Sequence, residues 1–265
     1  MLPICFLSDY GRRDEWVGVC HGVMLGIAPG ASVIDVAHDL PPMDVRHAAF
    51  TLENAAPFLP SGVLIAVVDP GVGTKRRAIA ARTPGGMVLV GPDNGLLWPA
   101  AQTLGGIEAA VDVAGGPFCR QPVSATFHGR DVFAPVAAHL ALGAALEQAG
   151  TRIEPSNLMR LEAAPPQVRP GGIDAEVRLV DRFGNLQLQA RPADMDRAGF
   201  APGDRVDLGS LEATYGRTFA DAGPGGAVVY EDSSRWIAVA INGGSAAERL
   251  GPLPDGSLSL LRCAS

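Results

Sequence analysis

The segment "AVVDPGVGTKRRAIA" (66–80) holds an abrupt change of chemistry: an apolar run ends in Asp69, Pro70 and two glycines, and Lys75, Arg76 and Arg77 follow at once. Ligands of a parallel sheet bind outside the carboxyl ends of its strands, so an acid at that point is placed to meet one. A guanidinium from Arg76 beside Asp69 would pair with its charge and orient it; an ordinary surface salt bridge would need the same spacing. Asp9 and Asp35 also close strand-like runs. In "SDYGRRDEW", Asp14 lies five residues beyond Asp9, around Gly11. Two acids in one such loop can grip a diol and a cationic group, and Asp14 can also cap the next helix. "TFHGRDVFAP" sets His128 just before a helix and next to Gly129, as for an imidazole at a loop mouth, although a lone histidine is more often structural. "VDRFGNLQ" brings Asp181, Phe183 and Asn185 into one turn. An aromatic face with an amide suits a purine ring, which takes stacking and edge hydrogen bonds; the competing reading is a hairpin with Phe183 in the core. The strand ending at Asn242 turns on Gly243 and Gly244, and backbone there can approach a base edge closely.

Other motifs fail on inspection. "VVDPGVGTKRR" lacks the Gly before Lys75 and the Ser or Thr after it that a phosphate loop needs. The Asp-Arg-Phe-Gly of "VDRFGN" only mimics the Asp-Phe-Gly of kinases and stands without any other kinase element. "GPDNGLL", containing Asn94, is by itself a turn. His21, His38, His47 and His139 read as structural. No metal site is expected, because neither His-x-His nor His-Glu-x-x-His occurs, and Cys5, Cys20, Cys119 and Cys263 are scattered without zinc spacing.

The positioning elements follow from periodicity. "PICFLSD", "SVIDVA", "GVLIAVVD" and "GMVLVGPDNG" read as strands, the third apolar throughout as in a strand buried on both faces. "EWVGVCHGVMLGIAP", with Trp16, Val19, Val23 and Ile27 in helical register, "DVRHAAFTLENAAPFL" and "GRDVFAPVAAHLALG" read as helices. Strand–helix alternation of this kind predicts an α/β domain with a mostly parallel sheet over 1–165. "EPSNLMRLEAAPPQVRPGG" reads as a linker. Beyond it, short runs such as "DAEVRLVD", "NLQLQA", "GAVVYED" and "RWIAVAIN", separated by Gly, Asp and Ser turns, predict a small β-barrel domain over 166–265.

Composition narrows the partners. The 265 residues are 47% hydrophobic and 18% charged, enough for globular cores. Net charge is −7, Lys75 is the only lysine, and no basic stripe appears, so a nucleic-acid partner is not expected. An acidic surface accommodates a cationic small molecule better than a polyanion. The start "MLPICFLSDYG" lacks a basic n-region, and no apolar run reaches membrane-spanning length, so a soluble cytoplasmic protein with no membrane partner is expected.

Taken in order, "FLSDYGRRDEWVGVCHGVM", "VIDVAHDLPPMDVRHAAF", "AVVDPGVGTKRR", "VGPDNGLL", "TFHGRDVFAPVAAHLA", "DRFGN" and "INGGSAAERLG" resemble the S-adenosyl-L-methionine hydroxide adenosyltransferases, relatives of the fluorinating and chlorinating enzymes. The resemblance spans nearly the whole chain. It implies hydrolysis of S-adenosyl-L-methionine to adenosine and methionine without a cofactor or metal. It also implies a homotrimer with active sites between subunits. The family's water-handling Asp–Arg–His set maps onto Asp69, Arg76 and His128. Asp9 would hold the ribose hydroxyls, and Asp14 and Asp181 the methionine ammonium. Phe183 and Asn185 would hold the adenine, helped by backbone at Asn242 and Gly243, and Ser233 or Ser234 the methionine carboxylate. Asn94 and Phe127, inside matched motifs, join the substrate-binding set.

The halogenating relatives carry a tyrosine where this chain has Asp69 and, in the fluorinating enzymes, a serine where it has Gly129, so the chain sides with the hydrolases. Met43 and Gln187 replace aromatic residues of those relatives. The alternatives are a 5′-halogenase, a non-catalytic adenosine-binding or S-adenosyl-L-methionine-binding protein, and a metal-dependent hydrolase.

Overall fold

The computed structural model describes residues 1–263 and divides into two units, Met1–Leu161 and a second from Glu162 on. The first runs β1 (Ile4–Ser8), α1 (Trp16–Ile27), β2 (Val33–Ala37), α2 (Val45–Ala55), β3 (Val63–Val67), β4 (Ala78–Arg82), β5 (Val88–Pro92), α3 (Trp98–Thr103), β6 (Ala109–Asp112), α4 (Ala134–Ala141) and β7 (Thr151–Ile153). The strands form one sheet in the order β2-β1-β3-β5-β4-β6-β7. β2, β1, β3 and β5 are parallel, and β4, β6 and β7 extend the sheet antiparallel.

Successive residues of a strand face opposite sides, and the two cores show it. Ile4 and Phe6 of β1, with Val63, Ile65 and Val67 of β3, pack with Cys20, Val23 and Met24 of α1 and the alanines of α4. Cys5, Leu7, Leu64, Ala66 and Val68 pack on the other face with Ala48, Ala49 and Leu52 of α2 and Ala100 and Ala101 of α3. β3 is apolar throughout because both of its faces are covered.

The second unit contains β8 (Gln167–Arg169), β9 (Gly172–Val180), β10 (Leu186–Leu188), α5 (Pro192–Ala198), β11 (Arg205–Asp207), β12 (Glu212–Tyr215), β13 (Ala227–Glu231), β14 (Ile237–Ile241), α6 (Ala246–Leu250) and β15 (Ser257–Arg262). Pairing runs β10-β14-β13-β12-β11-β15-β9, and β9 returns to β10, closing a seven-stranded barrel with β8 appended to β9. Its interior is filled by Ile173, Leu188, Val206, Val229, Val239 and Leu260.

Three readings change in detail. Asp35 lies in the middle of β2 and does not close it. Asp14 does not cap α1: the capping position is Glu15, and no side chain caps there. The segment read as a linker carries β8. The antiparallel half of the first sheet, β4, β6 and β7, has no counterpart in the strands expected from periodicity.

Candidate active site

β1 and β3 are parallel neighbours, with Ser8 opposite Val67, so the acids that follow them leave the sheet at the same edge. Asp69 is 8% exposed. Its Oδ1 accepts from Arg76 Nε at 2.9 Å, and its Oδ2 accepts from Arg76 Nη2. The same Nη2 lies 3.0 Å from His128 Nδ1. Both members of the Asp–Arg pair are nearly buried, so this is not a solvated surface bridge. The guanidinium also lies over the Phe133 ring, 5.3 Å from its centroid. The other two cations of the segment go elsewhere. Arg77 pairs with buried Asp93, and Lys75 is exposed.

Two local devices bring these groups together. Gly73 has φ +76°, and a Cβ there would collide with the Ala125 carbonyl oxygen, so only glycine lets the 69–77 loop lie against the loop carrying His128. Directly after His128 the chain makes a π-helical turn, Gly129–Phe133, that runs into α4; such one-turn bulges recur at functional sites. Asp131 in that turn accepts two hydrogen bonds from Arg130, at 2.8 and 2.7 Å, and one from the Ser124 backbone at 3.0 Å. The Arg130 bonds hold its carboxyl below the usual range, against the effect of burial.

Asp69 and His128 line a cavity of about 280 Å³ together with Asp9, Tyr10, Trp16, Met43 and Phe127. Burial is the main cause that pushes the His128 imidazole below its ordinary value, and Arg76 adds to it. Asp9 Oδ2 accepts from the Met43 backbone N–H at 2.8 Å, with Met43 held at φ +64°. Burial raises the Asp9 carboxyl despite that bond, and the nearby Asp69 charge raises it further. The wall is aromatic. Phe127 packs edge-on against Trp16 at 4.8 Å and against Tyr10 at 5.8 Å. The Tyr10 hydroxyl fills the space in which a side chain on residue 129 would stand, so Gly129 is required by contact rather than by φ.

The other expected site residues are distributed as follows. Asp14 is exposed and does not line the cavity. Asn94 is a turn residue: its Nδ2 donates to the Val68 carbonyl at 2.9 Å and its Oδ1 accepts from Leu96 N. In the second unit, Asp181 organises the 181–185 turn, accepting from Phe183 N, Asn185 N and Asn185 Nδ2 at 2.8–2.9 Å. Phe183 is 66% exposed, which removes the core reading for it. Ala247 N donates to the Gly184 carbonyl, so this turn lies against the segment after Asn242 and Gly243. Ser233 and Ser234 sit in the β13–β14 turn, where Asp232 accepts from Ser234 N. Tyr10 and Trp16 were not singled out from the sequence as site residues. The signal available was two aromatics flanking the paired acids of "SDYGRRDEW".

A buried carboxylate, a guanidinium and an imidazole at a cavity wall can orient a water molecule and take its proton. Among the described residues, donors of metal-ligand type converge in one group, His21, Asp35 and His38, which does not line the cavity. No helix is long and apolar enough to cross a membrane.

Comparison with known proteins adds independent observations. The profile described as the SAM hydroxide adenosyltransferase N-terminal domain matches residues 4–150, and that of the C-terminal domain matches residues 175–256. A protein of Salinispora arenicola named (R)-S-adenosyl-L-methionine hydrolase is 50% identical over 255 residues, covering 96% of each chain. A fluorinase of Actinoplanes sp. is 30% identical over 270 residues, covering 90% of each. A solved structure, an uncharacterized conserved protein from Thermotoga maritima, matches with a TM-score of 0.90 at 34% identity, over 98% of this chain and 100% of that one.

Proposed function

Since the chain belongs to the S-adenosyl-L-methionine hydroxide adenosyltransferase family, we propose that it hydrolyses S-adenosyl-L-methionine to adenosine and L-methionine. The observation that carries this reading is the contact of Asp69, Arg76 and His128 at one cavity wall. Water attacks the ribose C5′ as the C5′–S bond breaks. The sulfonium leaves with the bonding electron pair as the neutral thioether of methionine, and the attacking oxygen loses one proton. The leaving group therefore needs neither an acid nor a metal.

The nucleophile is the weak partner, and the site acts on it. Arginine has no acceptor atom, so Nη2 donates to His128 Nδ1 and the neutral ring carries its proton on Nε2. That edge donates to the water oxygen, while a free lone pair of Asp69 accepts the water proton. A water that has begun to bond to carbon is a strong acid, so a carboxylate suffices as acceptor late in the step. Holding the water in line with the C–S bond supplies the entropic part of the acceleration, and the general base supplies about 10²–10⁴-fold. Asp9 binds the ribose diol. Phe183 and Asn185 meet the adenine across a homotrimer interface, and Asp181 meets the methionine ammonium. Four unpaired thiols favour a reducing compartment, the cytoplasm.

The test is incubation with S-adenosyl-L-methionine in ¹⁸O-water at high chloride and fluoride, with and without chelator. Adenosine carrying one ¹⁸O at C5′, formed equally in both, is expected. A 5′-halo-adenosine overturns hydrolysis in favour of halogenation, binding without turnover overturns catalysis, and loss of activity on chelation overturns metal independence.

A further inference from the structure

The proposed hydrolysis leaves one group of donor side chains unused. His21 comes from α1, Asp35 from β2 and His38 from the loop after β2, the edge strand of the first sheet. His21 Nε2 stands 2.8 Å and His38 Nε2 3.0 Å from the same oxygen, Asp35 Oδ1. We propose that these three side chains form a binding site for a divalent first-row transition metal of the zinc type, separate from the groups that activate water.

The donor set selects the ion. Two imidazole nitrogens with one carboxylate oxygen suit zinc, nickel or iron and not magnesium or calcium, which take oxygen ligands. The spacing through Asp35 suits it as well, and all three donor atoms lie within 4.8 Å of one another. Donors 2.8 and 3.0 Å apart subtend about 90° at an ion roughly 2.0–2.1 Å from each, and opening by a few tenths of an ångström reaches the tetrahedral angle. His21 and Asp35 are partly exposed, which leaves a solvent-side position for water. His38 is buried, and its second nitrogen, Nδ1, is 2.7 Å from Ser8 Oγ. An outer partner on the far nitrogen is the usual means by which a ligating histidine is oriented. At rest both Nε2–H groups point to Asp35. On binding, both ring protons move to Nδ1, that of His38 being donated to Ser8 Oγ and that of His21 to solvent, which frees both Nε2 atoms for the ion. One group opposes the ion: Arg12 Nη2 lies 4.0 Å from Asp35 Oδ2. Its Nε also lies 3.7 Å from Asp39 Oδ2, and both Arg12 and Asp39 are exposed enough to rearrange.

The experiment is titration of the chelator-stripped full chain with Zn²⁺ against a chromophoric chelator, with Mg²⁺ as control. The expected result is one tightly held equivalent of zinc, not displaced by magnesium. His21→Ala and Asp35→Asn each weaken it by about tenfold or more. Arg12→Ala tightens it, and zinc raises the melting temperature of the unsubstituted and Arg12→Ala chains more than that of the His21→Ala or Asp35→Asn chains. These substitutions fall on partly exposed side chains, so the fold survives them; buried His38 is left intact. No bound equivalent overturns the proposal. So does equal affinity in the His21→Ala and Asp35→Asn proteins, which would assign the ion to the free thiols. Adenosine formation is read separately in chelator, so failure of this site leaves the hydrolase reading untouched.

Discussion

Arg76 Nη2 serves two acceptors at once, Asp69 Oδ2 and His128 Nδ1. Protonating His128 would set a second N–H against the guanidinium and break the contact, which is why Arg76 adds to the lowering that burial begins. The imidazole resonance of His128, followed by NMR, should therefore titrate below the ordinary ~6.5, and hydrolysis should fail as pH drops through that same lowered value. In Arg76→Gln the midpoint should rise, because the cation is lost while the Asp69 charge remains; an unchanged midpoint would refute the coupling. The segment "DPGVGTKRR" sets an acid near three cations, and the choice of Arg76 draws on the family resemblance; its physical ground, Phe133 under Arg76 and Asp93 holding Arg77, lies in distant parts of the chain. Gly129 is a similar case. A methyl group there would collide with the Tyr10 hydroxyl and stand 3.0 Å from Tyr10 Cζ. Gly129→Ala should cost about 1–3 kcal/mol by overpacking. Adding Tyr10→Phe should recover part of that, with a coupling of about 0.5–3 kcal/mol in a double-mutant denaturation cycle. Strict additivity would mean that the contact is not the cause.

At the scale of elements, β1, β3 and β5 were legible because short, largely apolar runs ending in turns have few other solutions, β2 because its apolar residues bracket a single acid, and α1, α2 and α4 because their apolar spacing is helical. β4 was not: "AIAAR" is short, made mostly of alanine, and follows directly on a charged loop, so only its pairing between β5 and β6 makes it a strand. The π-helical turn was invisible because one residue inserted into a helical repeat leaves composition and spacing almost unchanged. These elements set the distance between Arg76 and His128 through the approach of Gly73 to Ala125. Gly73→Ala combines a left-handed φ with that collision, so the two loops must part. The expected result is loss of stability of about 1–3 kcal/mol, and a fall in kcat larger than any rise in KM, read from Michaelis curves alongside thermal denaturation. Normal kcat in a destabilised variant would show that the loop contact serves the fold alone.

For the whole molecule, the close spacing of short strands announced the barrel, while its closure by β9 returning to β10 rests on pairings between residues far apart in sequence. The barrel leaves Phe183 two-thirds exposed, with Arg182 over its ring at 5.2 Å. That exposure leaves the ring free to meet the adenine as proposed. On the proposed homotrimer, the water-activating set of one chain completes its site with the Phe183 turn of another. Asp69→Asn and Phe183→Ala would then damage opposite halves of the same site. Each variant alone has no intact site, with the first losing kcat and the second chiefly raising KM. Mixed trimers from equal co-expression, however, rebuild about one site in four from the undamaged half of each chain. Assayed well below KM, the mixture should recover about a quarter of the unsubstituted activity, in a species sedimenting at three times the 27.4 kDa chain mass. Activity no higher than the mean of the two parents, in verified mixed trimers, would mean that each chain builds its site alone.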